Sequence, residues 1–184
     1  MRLPLTLHPD SHCTAVDRIE VEIARPRSEC LILSYVVTGT TSEIRLPSAT
    51  APARGDALWR HTCFETFVRA SSGQNYYEFN FSPSGQWAAY RFTGYRNGMC
   101  VADEISAAPI EVRSSPARCT LQASLALDRL SALPRQDPWR LGFSVVIEDA
   151  RGGISYWALA HPPGKPDFHH TDCFVHELSR SAKS

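Results

Sequence analysis

The chain has 184 residues, with 19 basic and 19 acidic side chains, 43% hydrophobic residues and 10% aromatics. That length fits one domain of about 100–200 residues, and a formal charge of zero removes the electrostatic argument for nucleic acid or an anionic membrane as partner. No apolar run approaches the roughly 20 residues that span a bilayer, and the N-terminal ten residues have no continuous apolar stretch, so a cytoplasmic chain without a signal peptide is expected.

In chain order, the hydrophobic period is two rather than 3.6, which reads as β-structure. Ile19, Val21 and Ile23 alternate with Glu20, Glu22 and Ala24. Residues 31–37 are nearly all apolar, as suits a strand buried on both faces. A loop rich in Pro, Ser, Ala and Thr covers 46–56. Three strands follow at 62–69, 76–82 and 86–92, punctuated by Ser71-Ser72-Gly73-Gln74-Asn75 and Pro83-Ser84-Gly85. Short turns between them predict an antiparallel meander. Further strands are expected at 110–113, 118–126, 141–148, 154–160 and 173–177. Only 125–133 looks helical, and Pro134 cuts it short. Short strands between Gly and Pro punctuation, with 13 prolines in all, predict an all-β, antiparallel β-sandwich of roughly 9–11 strands with little helix. One domain over 1–184 is expected, with its core in about 15–178 and a frayed polar tail at 179–184.

The six cysteines (Cys13, Cys30, Cys63, Cys100, Cys119 and Cys173) form no C-x-x-C pair. Their reading is small buried hydrophobes rather than a zinc or redox site. The patterns G-x-S-x-G, H-E-x-x-H and the P-loop do not occur, so no catalytic motif is legible.

Polar residues in apolar surroundings single out a few positions. Parity puts Cys63, Glu65 and Phe67 on one strand face and Phe64, Thr66 and Val68 on the other. Glu65 is therefore a carboxylate among apolar neighbours, which needs partners or a shifted pKa. On 76–82 the faces are Tyr77, Phe79 and Phe81 against Tyr76, Glu78, Asn80 and Ser82. Trp59 lies in the loop entering the Glu65 strand, where an exposed indole offers a flat apolar face to the CH-rich side of a sugar ring. Trp87, Trp139 and Trp157 read as core. The segment from His161 to Cys173 concentrates His161, Lys165, Asp167, His169, His170 and Asp172. It matches no zinc spacing and reads as a surface loop closing the sandwich, with one imidazole facing a pocket.

The run Leu58-Trp59-Arg60-His61-Thr62-Cys63-Phe64-Glu65-Thr66-Phe67-Val68, followed by Tyr76-Tyr77-Glu78-Phe79-Asn80-Phe81-Ser82-Pro83-Ser84-Gly85, resembles the DOMON-like proteins related to family-nine carbohydrate-binding modules. So do Leu141 to Asp149, Ser155-Tyr156-Trp157-Ala158 and Phe168-His169-His170-Thr171-Asp172-Cys173-Phe174, in the same order. The resemblance implies an immunoglobulin-like or jelly-roll β-sandwich whose members bind sugars or, in other branches, haem, without being enzymes. It implies that Trp59 supplies one aromatic clamp and Glu65 the strand glutamate. Phe168 takes the place of a second tryptophan, Asn80 that of an arginine, and Val146 that of a glutamine.

The sequence thus predicts a non-catalytic domain binding a saccharide or another small polar ligand through Trp59, Glu65, Asn80, Arg91, Phe168 and His169. Arg91 enters because it shares a strand face with Trp87 and Ala89 and is available to neutralise Glu65. Opposite charges near Glu65 and Glu78, with Arg91 and Arg96, suit an uncharged polyhydroxy ligand. No cofactor is expected. The alternatives are a haem carrier, with Met99 as axial ligand opposite His161, Lys165 or His169, a metal-binding protein, and a protein-interaction domain without a small ligand. The ligand's identity and the oligomeric state are not legible.

Overall fold

The alternating runs become twelve strands in the computed structural model, which describes residues 1–178; the tail expected to fray, 179–184, lies outside the described residues. The strands are β1 (Arg2–Leu7), β2 (Val16–Arg27), β3 (Cys30–Gly39), β4 (Cys63–Ala70), β5 (Tyr76–Phe81), β6 (Trp87–Phe92), β7 (Cys100–Val101), β8 (Ile110–Ser115), β9 (Arg118–Ala126), β10 (Trp139–Glu148), β11 (Ile154–Ala158) and β12 (His176–Leu178). All pairings are antiparallel, in the order β7-β6-β5-β4-β10-β11-β1-β2-β3-β9-β8, with β12 beside β10. Strand β1 joins the two halves: Arg2 to Leu5 pair with β2, and Thr6 and Leu7 pair with β11. The result is the all-β sandwich that the periodicity predicts, with the two halves folded face to face.

The core lies between the halves. From one side come Ile19, Val21, Leu31, Leu33 and Val37, and from the other Phe64, Val68, Phe79, Phe81 and Phe143, all buried. Burying each such side chain contributes about 1.5–3 kcal/mol relative to leaving it in water. Tyr35 crosses the core. Its hydroxyl donates to the Glu65 carbonyl at 2.6 Å and lies 2.7 Å from Thr66 Oγ1, so its polar tip is satisfied where no water reaches.

The two halves differ on their outer faces. Strand β9 alternates between buried and half-exposed, and β8 is exposed along nearly its whole length. Strand β3 corrects the expectation of burial on both faces. Cys30, Ile32 and Ser34 are half-buried, because the outer side of an antiparallel sheet can face solvent. In contrast β4, β5, β6 and β10 are buried on both faces. Their outer side carries a second apolar cluster that includes Phe67, Tyr76, Tyr90, Phe92, Phe168 and Phe174. The C-terminal segment covers it so closely that a Cβ on Gly142 would stand 3.0 Å from the Cys173 carbonyl oxygen.

Two further expectations change. The helical stretch at 125–133 reduces to one 3-10 turn, Leu127–Arg129, because Leu125 and Ala126 still pair with Leu31 and Cys30 of β3. The strand expected at 173–177 starts later, at His176. A 3-10 turn at Thr171–Cys173 precedes it, capped by His170, whose Nδ1 accepts from the Asp172 N–H. Strand β1 was not anticipated, although Leu3, Leu5 and Leu7 alternate, because Pro4 interrupts the run. Pro4 is tolerated here opposite Glu20. Cys63, Cys119 and Cys173 are buried thiols, Cys13 and Cys30 are half-buried, and Cys100 is exposed.

Candidate functional site

The covered outer face holds a cleft of about 340 Å³, within the roughly 300–1,000 Å³ usual for small-molecule sites. Its floor is set by strand register. Glu65 of β4 lies opposite Ser144 of β10 on one side and Asn80 of β5 on the other. Glu78 faces the same way, two residues before Asn80. Glu65, Glu78, Phe92 and Val146 line the cleft from the strands, with Tyr156 of β11 beside them.

Three segments make the walls. The first is the loop before β4. Ala57 adopts φ +52° and starts a 3-10 turn at Leu58–Arg60, and its N–H donates to Asp56 Oδ1 at 2.9 Å. Asp56 Oδ1 also accepts from the Tyr90 hydroxyl at 2.6 Å. This clasp holds Trp59 over the rim, edge-to-face with Tyr90 at 5.9 Å and 37% exposed. The second wall is the turn after β6, which contributes Arg96 and Met99. Arg96 has φ +50° and is tied by its Nε and Nη2 to Asp167 Oδ1 at 3.2 and 2.7 Å. Ala57 and Arg96 are the two non-glycine residues with positive φ among those described. Such conformations cost on the order of 1–3 kcal/mol and concentrate at functional sites. The third wall is the C-terminal segment, with Pro166, Phe168 and His169.

Each polar side chain in the cleft is fixed on one side. Ser144 Oγ donates to Glu65 Oε2 at 2.8 Å, and Asn80 Nδ2 donates to Glu78 Oε1 at 2.7 Å. The second oxygen of each carboxyl has no donor at hydrogen-bond distance among the described residues. His169 sits edge-to-face among Phe67, Tyr76 and Phe92. The Tyr76 hydroxyl accepts from the Arg96 N–H at 3.3 Å and lies 2.8 Å from His169 Nδ1. In the tautomer in which the tyrosine donates to Nδ1, the imidazole proton sits on Nε2, 3.7 Å from Glu78 Oε2.

Burial sets the protonation states. Burial and then the charge of Glu78 raise Glu65 to about 8, against the opposing pull of Ser144 and Arg96. Burial raises Glu78 to about 7, opposed by Asn80 and Arg96. The two carboxyls titrate as a pair and hold at least part of one proton between them at neutral pH. Burial, helped by the Arg96 charge, lowers His169 to about 4, so its ring is neutral. The 3.7 Å approach to Glu78 is thus a polar contact and not an ion pair.

Of the six residues that the sequence picks out, Trp59, Glu65, Phe168 and His169 line this cleft together. Asn80 is 0% exposed and lies beneath it, holding Glu78. Arg91 is not brought to it. Arg91 has the parity of Trp87 and Ala89, which face the inter-sheet core, and it reaches Glu104 at 3.3 Å at the core's edge. A side chain on that face cannot neutralise Glu65, and the cationic residue of the cleft is Arg96. Trp87 and Trp157 are core as expected, and Trp139 packs against the core. Among the described residues no group of three His, Cys, Asp or Glu side chains is placed to hold a metal ion. Met99 and His169 both line the cleft, whereas His161 and Lys165 do not. Glu78 was legible as a residue sharing the face of Asn80. Phe92, Val146 and Tyr156 follow from parity only once the strand register is known. Arg96 and Met99 come from a loop and entered the sequence reading only as a charge near the two glutamates and as an axial-ligand candidate, and Pro166 carried no signal.

The sequence matches no protein-family model and no curated protein. Among solved structures, the chain is similar to a protein of Bacteroides uniformis described provisionally as carbohydrate-binding. The TM-score is 0.71 at 15% identity, with 95% of this chain and 84% of that chain covered. It is also similar to a family-nine carbohydrate-binding module of Caldicellulosiruptor kristjanssonii in complex with glucose. There the TM-score is 0.52 at 15% identity, covering 95% of this chain and 81% of that one. At these identities the likeness establishes the fold. No helix among the described residues is long and apolar enough to cross a membrane.

Proposed function

We propose that the cleft binds a saccharide or sugar derivative without transforming it, and that the chain is a DOMON-like relative of family-nine carbohydrate-binding modules. One observation carries this reading: Trp59 and Phe168 line the same cleft as two buried carboxyls, each with a free oxygen. A pyranose has apolar CH faces and a periphery of hydroxyls. Flat aromatic surfaces match the first, and carboxyl groups match the second, since a protonated carboxyl both donates and accepts. Ser144, Asn80 and Tyr76 fix the polar groups before any ligand arrives, which lowers the ordering cost of binding. The Caldicellulosiruptor module of similar fold was solved with glucose, in line with a sugar as ligand here. His169 and Arg96 complete the hydrogen-bonding rim, and Asn80 acts as a positioning residue for Glu78.

The test is titration of the purified protein with a panel of mono- and disaccharides, by calorimetry and by tryptophan fluorescence. Saturable binding that quenches or shifts the Trp59 emission is expected, with the sugar recovered unchanged in its NMR spectrum. No binding across the panel, or binding unaffected by Trp59→Ala, would sink the assignment of this cleft. Conversion of the sugar would overturn the non-catalytic reading.

A further inference from the structure

The charge arrangement in the cleft goes beyond a neutral sugar. From the floor come two carboxyls, Glu65 at 3% exposure and Glu78 at 5%. The titratable groups around them are Cys63, Tyr76, Tyr90 (opposite Glu78 on β6) and Tyr156 from the sheet, Arg96 from the turn after β6, and Asp167 and His169 from the C-terminal segment. Cys63 is a thiol held well above its ordinary value by burial and by the two glutamates. Tyr76 is held up to about 12, chiefly by burial, and His169 is neutral. Arg96 is the cation of the group, and Asp167 holds its guanidinium by two hydrogen bonds. Each carboxyl uses one oxygen on a neutral donor, Ser144 or Asn80, and turns the other to the cleft. Around them stand the rings of Trp59, Phe92, Tyr156 and Phe168. Buried acid groups with open oxygens inside a ring of aromatic faces form an environment that attracts a cation.

We infer that the preferred ligand of this cleft is an amino sugar, its ammonium group seated between Glu65 and Glu78 and its pyranose ring against Trp59 and Phe168. The inference rests on the saccharide reading and deepens it. The ligand's positive charge takes the place of the proton that the carboxyl pair otherwise keeps. Binding therefore releases a proton from the pair to solvent while the ammonium keeps its own, and it weakens where acid returns that proton.

The experiment is calorimetric titration at pH 7 with matched pairs, D-glucose against D-glucosamine and D-galactose against D-galactosamine. N-acetyl-D-glucosamine serves as the neutral amide, cyclohexylamine as an amine without hydroxyls, and each run is repeated in two buffers of different ionisation heat. In at least one pair the amino sugar should bind about tenfold tighter than its neutral partner, as one added charge-assisted contact gives. It should also bind tighter than cyclohexylamine, and its buffer-dependent heat should report net proton release. The preference should shrink at pH 5.5, where the pair is protonated, and should fall towards unity in Glu78→Gln. If neutral sugars bind and the amino sugars bind no tighter, with no proton released, the inference is overturned and the saccharide reading stands. Cyclohexylamine binding as tightly as the amino sugars, with the neutral sugars inert, would make the site an amine site and remove both readings. No binding of any probe also removes both.

Discussion

Replacing Glu65 by glutamine removes one buried acid and keeps its shape. In the native chain the folded state holds the Glu65 proton up to about pH 8, whereas an unfolded chain releases it near 4.5, the ordinary value. Below about 4.5 both states are protonated and the carboxyl has no effect on stability. Between about 4.5 and 8 the folded chain binds a proton that the unfolded chain has lost, so stability falls as pH rises through that window. At about 1.4 kcal/mol per pH unit the ceiling of this loss is about 5 kcal/mol. Relaxation of the protein around a buried charge cuts this ceiling, so about 2 kcal/mol at pH 8 is the expected effect. Glutamine has no such pH-dependent loss, and its carbonyl oxygen still accepts from Ser144. For a chain of this length about 2 kcal/mol is roughly 4–8 °C in melting temperature. Thermal melts of both proteins from pH 4.5 to 8.5 should coincide at the acid end and separate by that amount at pH 8, with the variant higher. His169 is common to both chains, so its own acid-side effect cancels in the difference. Two melting curves that run parallel over the whole range, or a variant less stable at pH 8, would refute the reasoning. If the variant is the more stable protein at pH 8, the native chain accepts a less stable fold to keep an acid in this cleft, a trade common at functional sites.

Trp59→Ala should lower saccharide affinity at least tenfold while changing stability by no more than about 1 kcal/mol, because the indole is on the rim; calorimetry and a melt on the same sample decide it. Ser144→Ala removes a bond to the ionised form of Glu65, so the Glu65 carboxyl should titrate still higher in a carbon-detected NMR titration, and an unchanged midpoint would show that Ser144 does not hold it. His169 should show no ring protonation between pH 8 and 5 by nitrogen NMR; a midpoint near 6.5 would mean that the ring is not buried as described. Tyr35→Phe should cost about 1–3 kcal/mol by leaving the Glu65 carbonyl and Thr66 with one partner fewer in the core. Saccharide binding should stay within about twofold, as the hydroxyl lies on the face away from the cleft, and a loss of binding would show that the core contact sets the floor.

Much of the architecture was legible from the chain, because a period of two is a local property. The parity of Cys63, Glu65 and Phe67 against Phe64, Thr66 and Val68 is fixed by backbone geometry, and the structure assigns the two sets to opposite faces as that parity requires. The same rule set Tyr77, Phe79 and Phe81 on one face against Glu78 and Asn80 on the other, and the structure turns the first set into the core. Trp59 was marked by its place in the loop entering a strand, and Phe168 by the family resemblance alone. Parity also told that Arg91 shares a face with Trp87 and Ala89, but not which face looks into the core, and so it suggested the wrong arginine. Only the pairing of β4 with β5 and β10 decided that Glu65, Glu78 and Ser144 meet, because register is a non-local property set by how strands match across the sheet. Only the covering of that sheet by the C-terminal segment turned a strand surface into a cleft, brought Asp167 to Arg96, and placed His169 beside Glu78. The charge balance of 19 against 19 is a sum over the whole chain. The tertiary fold separates it locally, leaving two buried acids facing one cation that is already held, since burial and neighbours, not totals, determine what a site can bind.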